Sequence, residues 1–270
     1  MASPVGDSYS CAPGGVIAAG RHRIAPGNYR VSIWGQSNAV GRALRSDISA
    51  SPLSSDSGLV AHDAGTFDRV YIWDGSNYSK LNAANNQCLS GQFGAEFALA
   101  VRWMRETTTG NLYIDKEAEG GVSIDYFDPT GVFYGQTKTR RTNANAWLSS
   151  NSITVNDIGW LWVQGEQDAA QSQSWYQTRL EAMIAARTTD GFQGSGTKRI
   201  LSKMHPSSAT YGAGVDAAKV AAASASSSNT TAPVLPYYMR DDNIHLNGQG
   251  VVQLGYDAFE QFFGSRHIAT

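Results

Sequence analysis

A serine near one end of the chain and an aspartate–histidine pair near the other are the residues best suited to do chemistry. Ser37 lies in Gly35-Gln36-Ser37-Asn38, directly after the apolar run 31–34, and Asp242 precedes His245 by three residues. A serine hydroxyl is a weak nucleophile until a neighbouring base accepts its proton, and a third group must hold that base in one tautomer. Ser37, His245 and Asp242 can fill these three roles, so the sequence predicts nucleophilic catalysis if the two ends of the chain meet.

Each of these residues also has a simpler explanation. Ser37 stands where a helix is expected to begin, and serine is a common helix N-cap. Asp242 and His245 are ordinary residues for a solvated loop before a helix, and Asp241 is a rival for the role of orienting acid. We favour Asp242, because its spacing lets the carboxylate accept the Nδ1–H of His245 while Nε2 points at Ser37.

Two further segments can stabilise negative charge that develops on a substrate oxygen. Gln164 ends the apolar stretch 158–163 and opens Gln164-Gly165-Glu166-Gln167-Asp168. Its amide can donate to an oxyanion, and losing one such donor typically costs about 3 kcal/mol of transition-state stabilisation. We expect Glu166 to support this loop through hydrogen bonds and Asp168 to cap the following helix. Gly94, which precedes Ala95-Glu96, is a second candidate through its backbone N–H, and the amide of Ser37 is a third.

Gln36, Asn38 and His205 are candidates for support or substrate contact. Gln36 and Asn38 flank Ser37, and His205 follows the predicted strand 199–204 without an acid at the spacing that catalysis would need. The sequence has no Cys/His cluster with zinc spacing and no Gly-rich phosphate loop, so it predicts neither a metal nor a cofactor. Four tryptophans are expected in the core or its shell, and any of them is a candidate platform for a sugar ring: Trp34, Trp73, Trp160 and Trp162.

The composition is that of a globular chain, and it argues against a strongly charged partner. The 270 residues are 41% hydrophobic, the net charge is −2, and no block of Lys and Arg occurs, which argues against nucleic acid and anionic membranes. No apolar run approaches the roughly 20 residues that span a bilayer, and residues 1–13 show no signal peptide. Charged residues make up 16%, below the roughly 25% of average domains, which leans towards a soluble extracellular or virion-associated protein. Cys11 and Cys88 can form at most one disulfide, and the oligomeric state is left open.

The elements that must position these residues alternate between strand and helix. Residues 1–28 read as an irregular lead-in, and residues 29–270 as one domain with an inserted β-hairpin region around 59–92. Apolar patterns predict strands at 29–34, 112–114, 158–163, 199–204 and 233–238, and helices around 97–104, 176–184, 215–225 and from Asn247 onwards. Residues 224–231 read as a polar loop. Such alternation predicts a parallel sheet with helices on both faces, whose carboxyl edge would gather Ser37, Gln164, His205 and the Asp242 loop.

These blocks together resemble the SGNH hydrolase superfamily, and within it the sialate O-acetylesterase-like, carbohydrate esterase family six branch. The matching pieces are Gly35-Gln36-Ser37-Asn38, Gly94-Ala95-Glu96, Gly120-Gly121-Val122-Ser123, Gln164-Gly165-Glu166-Gln167-Asp168 and Asp242-Asn243-Ile244-His245. The resemblance implies a flavodoxin-like three-layer α/β/α sandwich with a five-stranded parallel sheet. It also implies a Ser-His-Asp triad that removes acetyl groups from sugar hydroxyls without metal or cofactor. Gln164 departs from the Asn of the wider superfamily, and the Gly94 block lacks the Pro often seen in this branch.

Three other functions agree with parts of the sequence. An α/β-hydrolase is disfavoured, because several strands would precede the serine and the acid and histidine would lie on separate loops. A non-catalytic glycan-binding or structural module of a viral tail or cell surface can reuse the same fold. An esterase for lipid or thioester substrates would be expected to carry a long apolar lid segment. The preferred prediction is therefore a serine esterase that deacetylates a glycan or polysaccharide.

Overall fold

A computed structural model of the chain describes residues 24–192, 197–232 and 239–264. The strands of this part are β1 Tyr29–Gly35, β2 Ala43–Leu44, β3 Val70–Trp73, β4 Tyr78–Lys80, β5 Gln92–Phe93, β6 Leu112–Ala118, β7 Asn156–Val163, β8 Lys198–Ser202 and β9 Asn229–Ala232. The helices are α1 Ser37–Val40, α2 Ser57–Asp63, α3 Ala95–Glu106, α4 Val132–Ser150, α5 Gln173–Thr189, α6 Ala213–Ser224 and α7 Gly248–Phe263. Alternation of strand and helix is the pattern that the sequence predicts.

The central sheet has seven strands in the order β4-β3-β6-β1-β7-β8-β9. All neighbouring pairs are parallel except β3 with β4, which are antiparallel. The predicted sandwich with a mainly parallel sheet is confirmed, but the predicted count of five strands is wrong. The sheet is larger because the predicted hairpin pairs with β6 through β3 and extends the sheet, and because β9 is added beyond β8.

The two faces of the sheet are covered by different helices. Along β1, Val31 and Ile33 belong to the core beneath α3 and α7, whereas Trp34 faces the aromatic core beneath α5 and α6. This alternation follows from the two-residue period of a strand. Both faces are apolar because a parallel sheet is buried on both sides. β1 is the central strand of the seven, so its carboxyl end opens in the middle of one edge.

Three local predictions are corrected by the structure. The polar segment 224–231 is not simply a loop, since β9 begins at Asn229 within it. Helix α5 is capped by Ser172, whose side chain accepts the Trp175 N–H, and not by Asp168. Residues 119–150, for which the apolar pattern predicts neither strand nor helix, contain the 19-residue helix α4. The predicted strand 233–238, the segment 1–23 and Cys11 lie outside the described residues.

Candidate active site

Ser37 stands at the carboxyl end of the central strand, on a turn that only glycine allows. Gly35 has φ +138°, and a Cβ at this position would lie 1.9 Å from the carbonyl oxygen of Val163 on the neighbouring strand. The Gln36 N–H donates to that same carbonyl at 2.9 Å, which fixes the turn against β7. Gln36 is the N-cap residue and Ser37 is the first residue of α1, so the alternative role of Ser37 as N-cap is not realised. The side chain of Ser37 therefore does not cap the helix, and the residue is buried.

Asp242 and His245 form one hydrogen-bonded turn just before α7. His245 Nδ1 lies 2.8 Å from Asp242 Oδ2, and the backbone N–H groups of Ile244 and His245 both donate to Asp242 Oδ1 at 2.9 Å. Asn243 has φ +54°, which bends the chain so that both side chains share one side of the turn. Partial burial raises the pKa of Asp242, but the hydrogen bonds from His245 and Ile244 outweigh it, and the pKa is lowered to about 2. An ionised Asp242 accepts the Nδ1–H and so fixes the tautomer that leaves Nε2 free of its proton.

Asn38, the residue after Ser37, binds the Asp242–His245 turn through its side chain. Its Oδ1 accepts the Leu246 N–H at 3.0 Å, and its Nδ2 donates to the Ile244 carbonyl at 3.3 Å. These two bonds grip the backbone on both sides of His245. The same Nδ2 donates to Glu166 Oε1 at 2.6 Å, so the loop after β7 joins the assembly. Glu166 thus links the loop after β7 to Asn38, and segments more than 200 residues apart are brought together.

Gln164 is buried in a polar network beneath this edge. Its Nε2 lies within hydrogen-bond range of three acceptors, at 3.1 Å from Gln36 Oε1, 3.2 Å from the Val122 carbonyl and 2.6 Å from Asp168 Oδ2. The Tyr176 hydroxyl donates to Gln164 Oε1 at 2.6 Å, and burial raises the pKa of this hydroxyl well above its ordinary value. The Gln164 amide is therefore held in one orientation at the predicted edge of the sheet. Both of its N–H groups already have acceptors.

Asp168 acts in this network and not as a helix cap. Its Oδ2 accepts the Gln164 amide and also the Ile124 N–H at 2.7 Å. The loop that follows β6 is thereby bonded to the loop that follows β7. Sequence reasoning missed this connection because Asp168 and Ile124 are far apart in the chain.

The N–H of Gly94 is occupied in this structure. It donates to Glu96 Oε1 at 2.9 Å, and Glu96 Oε2 pairs with Lys116 Nζ at 2.9 Å in the buried interior. Cys88 Sγ lies 3.2 Å from the same Nζ. Gly94 is thus part of a buried ionic cluster, and the prediction that its N–H is free for an oxyanion disagrees with this geometry.

His205 lies on the loop after β8 and supports that loop. Its Nδ1 accepts the Ser207 N–H at 3.1 Å, and its carbonyl accepts the Ser208 N–H at 2.9 Å. The same loop contacts the turn of the candidate base, since the Ala209 N–H and the Ser208 hydroxyl both donate to the Asn243 carbonyl. His205 therefore belongs to the neighbourhood of the site without bonding to Ser37, Asp242 or His245.

Within the described residues, no group of three or more His, Cys, Asp or Glu side chains is arranged to hold a metal ion. The same part of the chain contains no helix that is long and apolar enough to cross a membrane.

Solved structures share this fold. A protein from Arabidopsis thaliana superimposes with a TM-score of 0.69 at 16% identity, over 88% of this chain and 99% of that one. A carbohydrate acetylesterase from Xanthomonas citri gives a TM-score of 0.57 at 16% identity, over 90% of this chain and 58% of that one. The protein NanS gives a TM-score of 0.56 at 14% identity, over 90% of this chain and all of that one. No curated protein sequence matches the chain.

The sequence profile of one family spans the domain. The carbohydrate esterase, sialic acid-specific acetylesterase family matches residues 31–263, which include the Ser37 turn and the Asp242–His245 turn. The match extends over most of the chain and agrees with the resemblance seen in the sequence motifs. The chain belongs to this carbohydrate esterase family and is a carboxylic ester hydrolase.

Proposed function

We propose that this protein is a serine esterase that removes O-acetyl groups from a carbohydrate, with Ser37 as nucleophile, His245 as general base and Asp242 as the orienting acid. Membership of the carbohydrate esterase family supports the reaction and the class of substrate. The observation that carries the residue assignment is the double hold of Asn38 on the backbone around His245. These two hydrogen bonds, to Ile244 and Leu246, hold the turn that carries His245 against Asn38, the residue directly after Ser37.

The proposed reaction proceeds through an acetyl-enzyme. Ser37 Oγ attacks the acetyl carbonyl carbon while His245 Nε2 accepts the hydroxyl proton. When the tetrahedral intermediate collapses, His245 gives this proton to the sugar oxygen, and the carbohydrate leaves with a free hydroxyl. Water then attacks the acetyl carbonyl carbon on Ser37 while His245 takes a proton from this water. When this second intermediate collapses, the bond to Ser37 Oγ breaks, His245 returns the proton to Oγ, and acetic acid leaves and ionises to acetate. The Asp242 carboxylate stabilises the positively charged imidazole during both halves of the reaction.

The backbone amide of Ser37 is the best-supported oxyanion donor. The first hydrogen bond of α1 runs from the Ala39 N–H to the Gln36 carbonyl, at 2.8 Å. The Ser37 N–H lies before this bond, at the start of the helix, where backbone N–H groups have no partner within the helix. Gln164 is the second donor in this proposal, and it must release one acceptor to act. The Val122 carbonyl is the bond that we expect it to release, because at 3.2 Å it is the longest of the three. Gly94 would have to break a 2.9 Å bond to a buried carboxylate, so it is not included.

Substitution of Ser37 by alanine tests the assignment directly. Hydrolysis of an aryl acetate and of an acetylated polysaccharide should both fall by about 10⁴-fold or more, because a triad that loses its nucleophile loses up to about 10⁶-fold in kcat. A serine-directed phosphonate should modify Ser37 and no other serine. Ser202→Ala is a matched control, because Ser202 is also a buried serine, at the carboxyl end of β8, and β7 separates β8 from the Ser37 strand. Equal hydrolysis by the Ser37→Ala and Ser202→Ala variants would refute the assignment.

Acetate release from a panel of natural polymers would identify the substrate. Acetylated xylan, acetylated glucomannan, acetylated bacterial surface polysaccharide and O-acetylated sialic acids differ in charge and in the position of the ester. If none of them releases acetate while an aryl acetate does, the protein is an esterase but the carbohydrate assignment fails. The family match favours turnover over the alternative of a non-catalytic glycan-binding module.

A further inference from the structure

The aromatic side chains that reach the surface are not the ones that the sequence singled out. Trp34, Trp73, Trp160 and Trp162 are each at most 1% exposed, so none of them can stack on a sugar. Among the aromatic side chains in the described ranges, those of Tyr126 and Tyr211 have the largest exposed fractions, 40% and 39%. Both lie on loops at the carboxyl edge of the sheet, the edge that carries Ser37.

Tyr126 is on the loop that follows β6, and this loop is bonded into the site. The Val122 carbonyl accepts the Gln164 amide, and the Ile124 N–H donates to Asp168 at 2.7 Å. The ring of Tyr126 packs against the half-buried Phe133, with 4.7 Å between the centroids. The backbone of Tyr126 is fixed by its own N–H, which donates to the Ser123 carbonyl at 3.0 Å. Tyr126 is therefore an exposed ring on a well-anchored loop.

Tyr211 is on the loop that follows β8 and is anchored to the turn of the candidate base. The Tyr211 N–H donates to the Ser208 carbonyl at 3.1 Å, and the Ala209 N–H donates to the Asn243 carbonyl at 2.8 Å. Asn243 lies between Asp242 and His245. An exposed aromatic ring is thus attached to each of two loops that are bonded to the proposed catalytic residues or to their supports.

The order of the strands separates these two rings. The sheet runs β6-β1-β7-β8, so the loops carrying Tyr126 and Tyr211 flank the loops carrying Ser37 and Gln164. Neighbouring strands are about 4.8 Å apart, so the strands β6 and β8 are separated by about 14 Å. The two rings therefore stand on loops that leave the sheet at well separated points, on either side of the Ser37 loop, as separate sugar units of one chain would need.

Asp125, the residue before Tyr126, belongs to a surface ion pair. Asp125 Oδ1 accepts from Arg179 Nε at 2.5 Å, and the Arg179 guanidinium lies 3.7 Å from the centre of the Trp175 ring. Both members of this ion pair are partly exposed, so they can also bond to hydroxyl groups. Aromatic rings next to fixed polar groups suit a pyranose, whose C–H face is apolar and whose rim carries hydroxyls.

We propose that Tyr126 and Tyr211 are stacking platforms for the sugar units on either side of the acetylated one, so that the enzyme acts on a polymeric glycan. This inference rests on the proposed function, because it takes the ester to be held at Ser37. It goes further in assigning a chain of sugars, and not a single sugar, to the carboxyl edge of the sheet. The ion pair of Asp125 and Arg179 provides hydrogen bonds to the sugar unit over Tyr126.

The test compares a polymer with a small ester in the same variants. Tyr126→Ala and Tyr211→Ala should each raise KM for the polymer that releases acetate fastest in the panel by about 3- to 10-fold, and the double variant by more. With an aryl acetate, kcat/KM should stay within about twofold, since no sugar is bound. Tyr126→Phe keeps the ring and should keep the wild-type KM, whereas Tyr126→Leu should behave as Tyr126→Ala.

Val220→Ala is the matched control, because Val220 is exposed to a similar degree but lies on α6 away from these loops. Equal losses on polymer and aryl acetate would overturn the platform proposal, as would an unchanged KM for the polymer. A wild-type enzyme that prefers acetylated monosaccharides to every polymer would also overturn it. A change in oligomeric state in size-exclusion chromatography, without a change in KM, would mean that this patch binds protein. Failure of the proposed function is recognised separately, because wild-type and Ser37→Ala proteins would then hydrolyse the aryl acetate equally.

Discussion

Replacement of Asn38 by alanine should damage both the stability of the protein and the geometry of the proposed base. The change removes two neutral hydrogen bonds, to Leu246 and Ile244, and one charge-assisted bond to Glu166. Neutral bonds contribute about 1 kcal/mol each and a charged one about 2 kcal/mol, so the free energy of unfolding should fall by about 3–4 kcal/mol. The variant should still fold, since domains of this kind have roughly 5–15 kcal/mol to lose.

The loss of activity should be larger than the loss of stability suggests. His245 keeps its bond to Asp242 in this variant, but its backbone is no longer held against α1. A displacement of about 1 Å in a catalytic group typically lowers the rate by about 10²-fold, and we expect that effect on kcat/KM. The assay is aryl acetate hydrolysis at a temperature where circular dichroism shows the variant to be folded.

Asn229→Ala provides the comparison, because Asn229 is also buried and its side chain bonds to Ala222 and Arg199, far from the site. This variant should lose stability but retain kcat/KM. If Asn38→Ala unfolds more easily yet keeps kcat/KM within about threefold of wild type, then Asn38 does not position the base. The assignment of His245 as the base would then lose its main support.

Three further predictions concern the site and its surroundings. Asp242→Asn should lower kcat by up to about 10⁴-fold in stopped-flow or steady-state assays, because the amide no longer favours the required His245 tautomer; retention of more than a tenth of the activity would exclude Asp242 as the orienting acid. Burial raises the pKa of Glu117 to about 7, despite the opposing Arg140, so the folded state holds a proton that the unfolded state releases near pH 4.5. The free energy of unfolding should therefore fall between pH 4.5 and 7 by at most about 3 kcal/mol from this group, and Glu117→Gln should reduce that fall in urea titrations; an unchanged pH dependence would contradict this account. Gly35→Ala should prevent folding or cost more than about 3 kcal/mol because of the contact with Val163, whereas Gly91→Ala, with open space around it, should cost about 1 kcal/mol in thermal unfolding.

The elements with a regular apolar pattern could be predicted from the sequence. Helix α3 covers the predicted segment 97–104, and β7 contains the predicted apolar run 158–163. Asn247 caps α7 through the Gly250 N–H, as expected from its position before an apolar helix. These features depend on neighbouring residues in the chain, which the sequence displays directly.

The missed elements owe their burial to long-range polar contacts. Helix α4 buries Arg141 against Asp115 at 2.6 Å, and a charged residue in a helix gives no sign of facing inwards. Strand β9 is polar and lies at the end of the described sheet. It is a strand because it pairs with β8, and its own sequence has no apolar pattern that would predict one. Asp168 was assigned to a helix cap because its partner Ile124 is 44 residues away. In each case the deciding neighbour is distant in sequence.

The candidate site shows the same division. The order of Ser37, Asp242 and His245 in the sequence predicts which residues would act, and the short spacing of the last two predicts their mutual bond. The sequence could not show that Glu96 occupies the Gly94 N–H, or that Asn38 holds the base turn. The sequence predicts four tryptophans in the core or its shell, where they lie, but it does not show that Tyr126 and Tyr211 are the exposed rings.

The contacts of Asn38 with Ile244 and Leu246 join positions 206 and 208 residues apart. During synthesis the ribosome therefore delivers the proposed nucleophile long before the segment that carries the proposed base. Under the proposed roles, a nascent chain, or one truncated ahead of Asp242, carries an inert serine, so hydrolysis should begin only after the last helix has docked. Ester turnover in a translation reaction would then report the moment of complete folding, and sheets closed by such distant pairings are expected to reach it slowly.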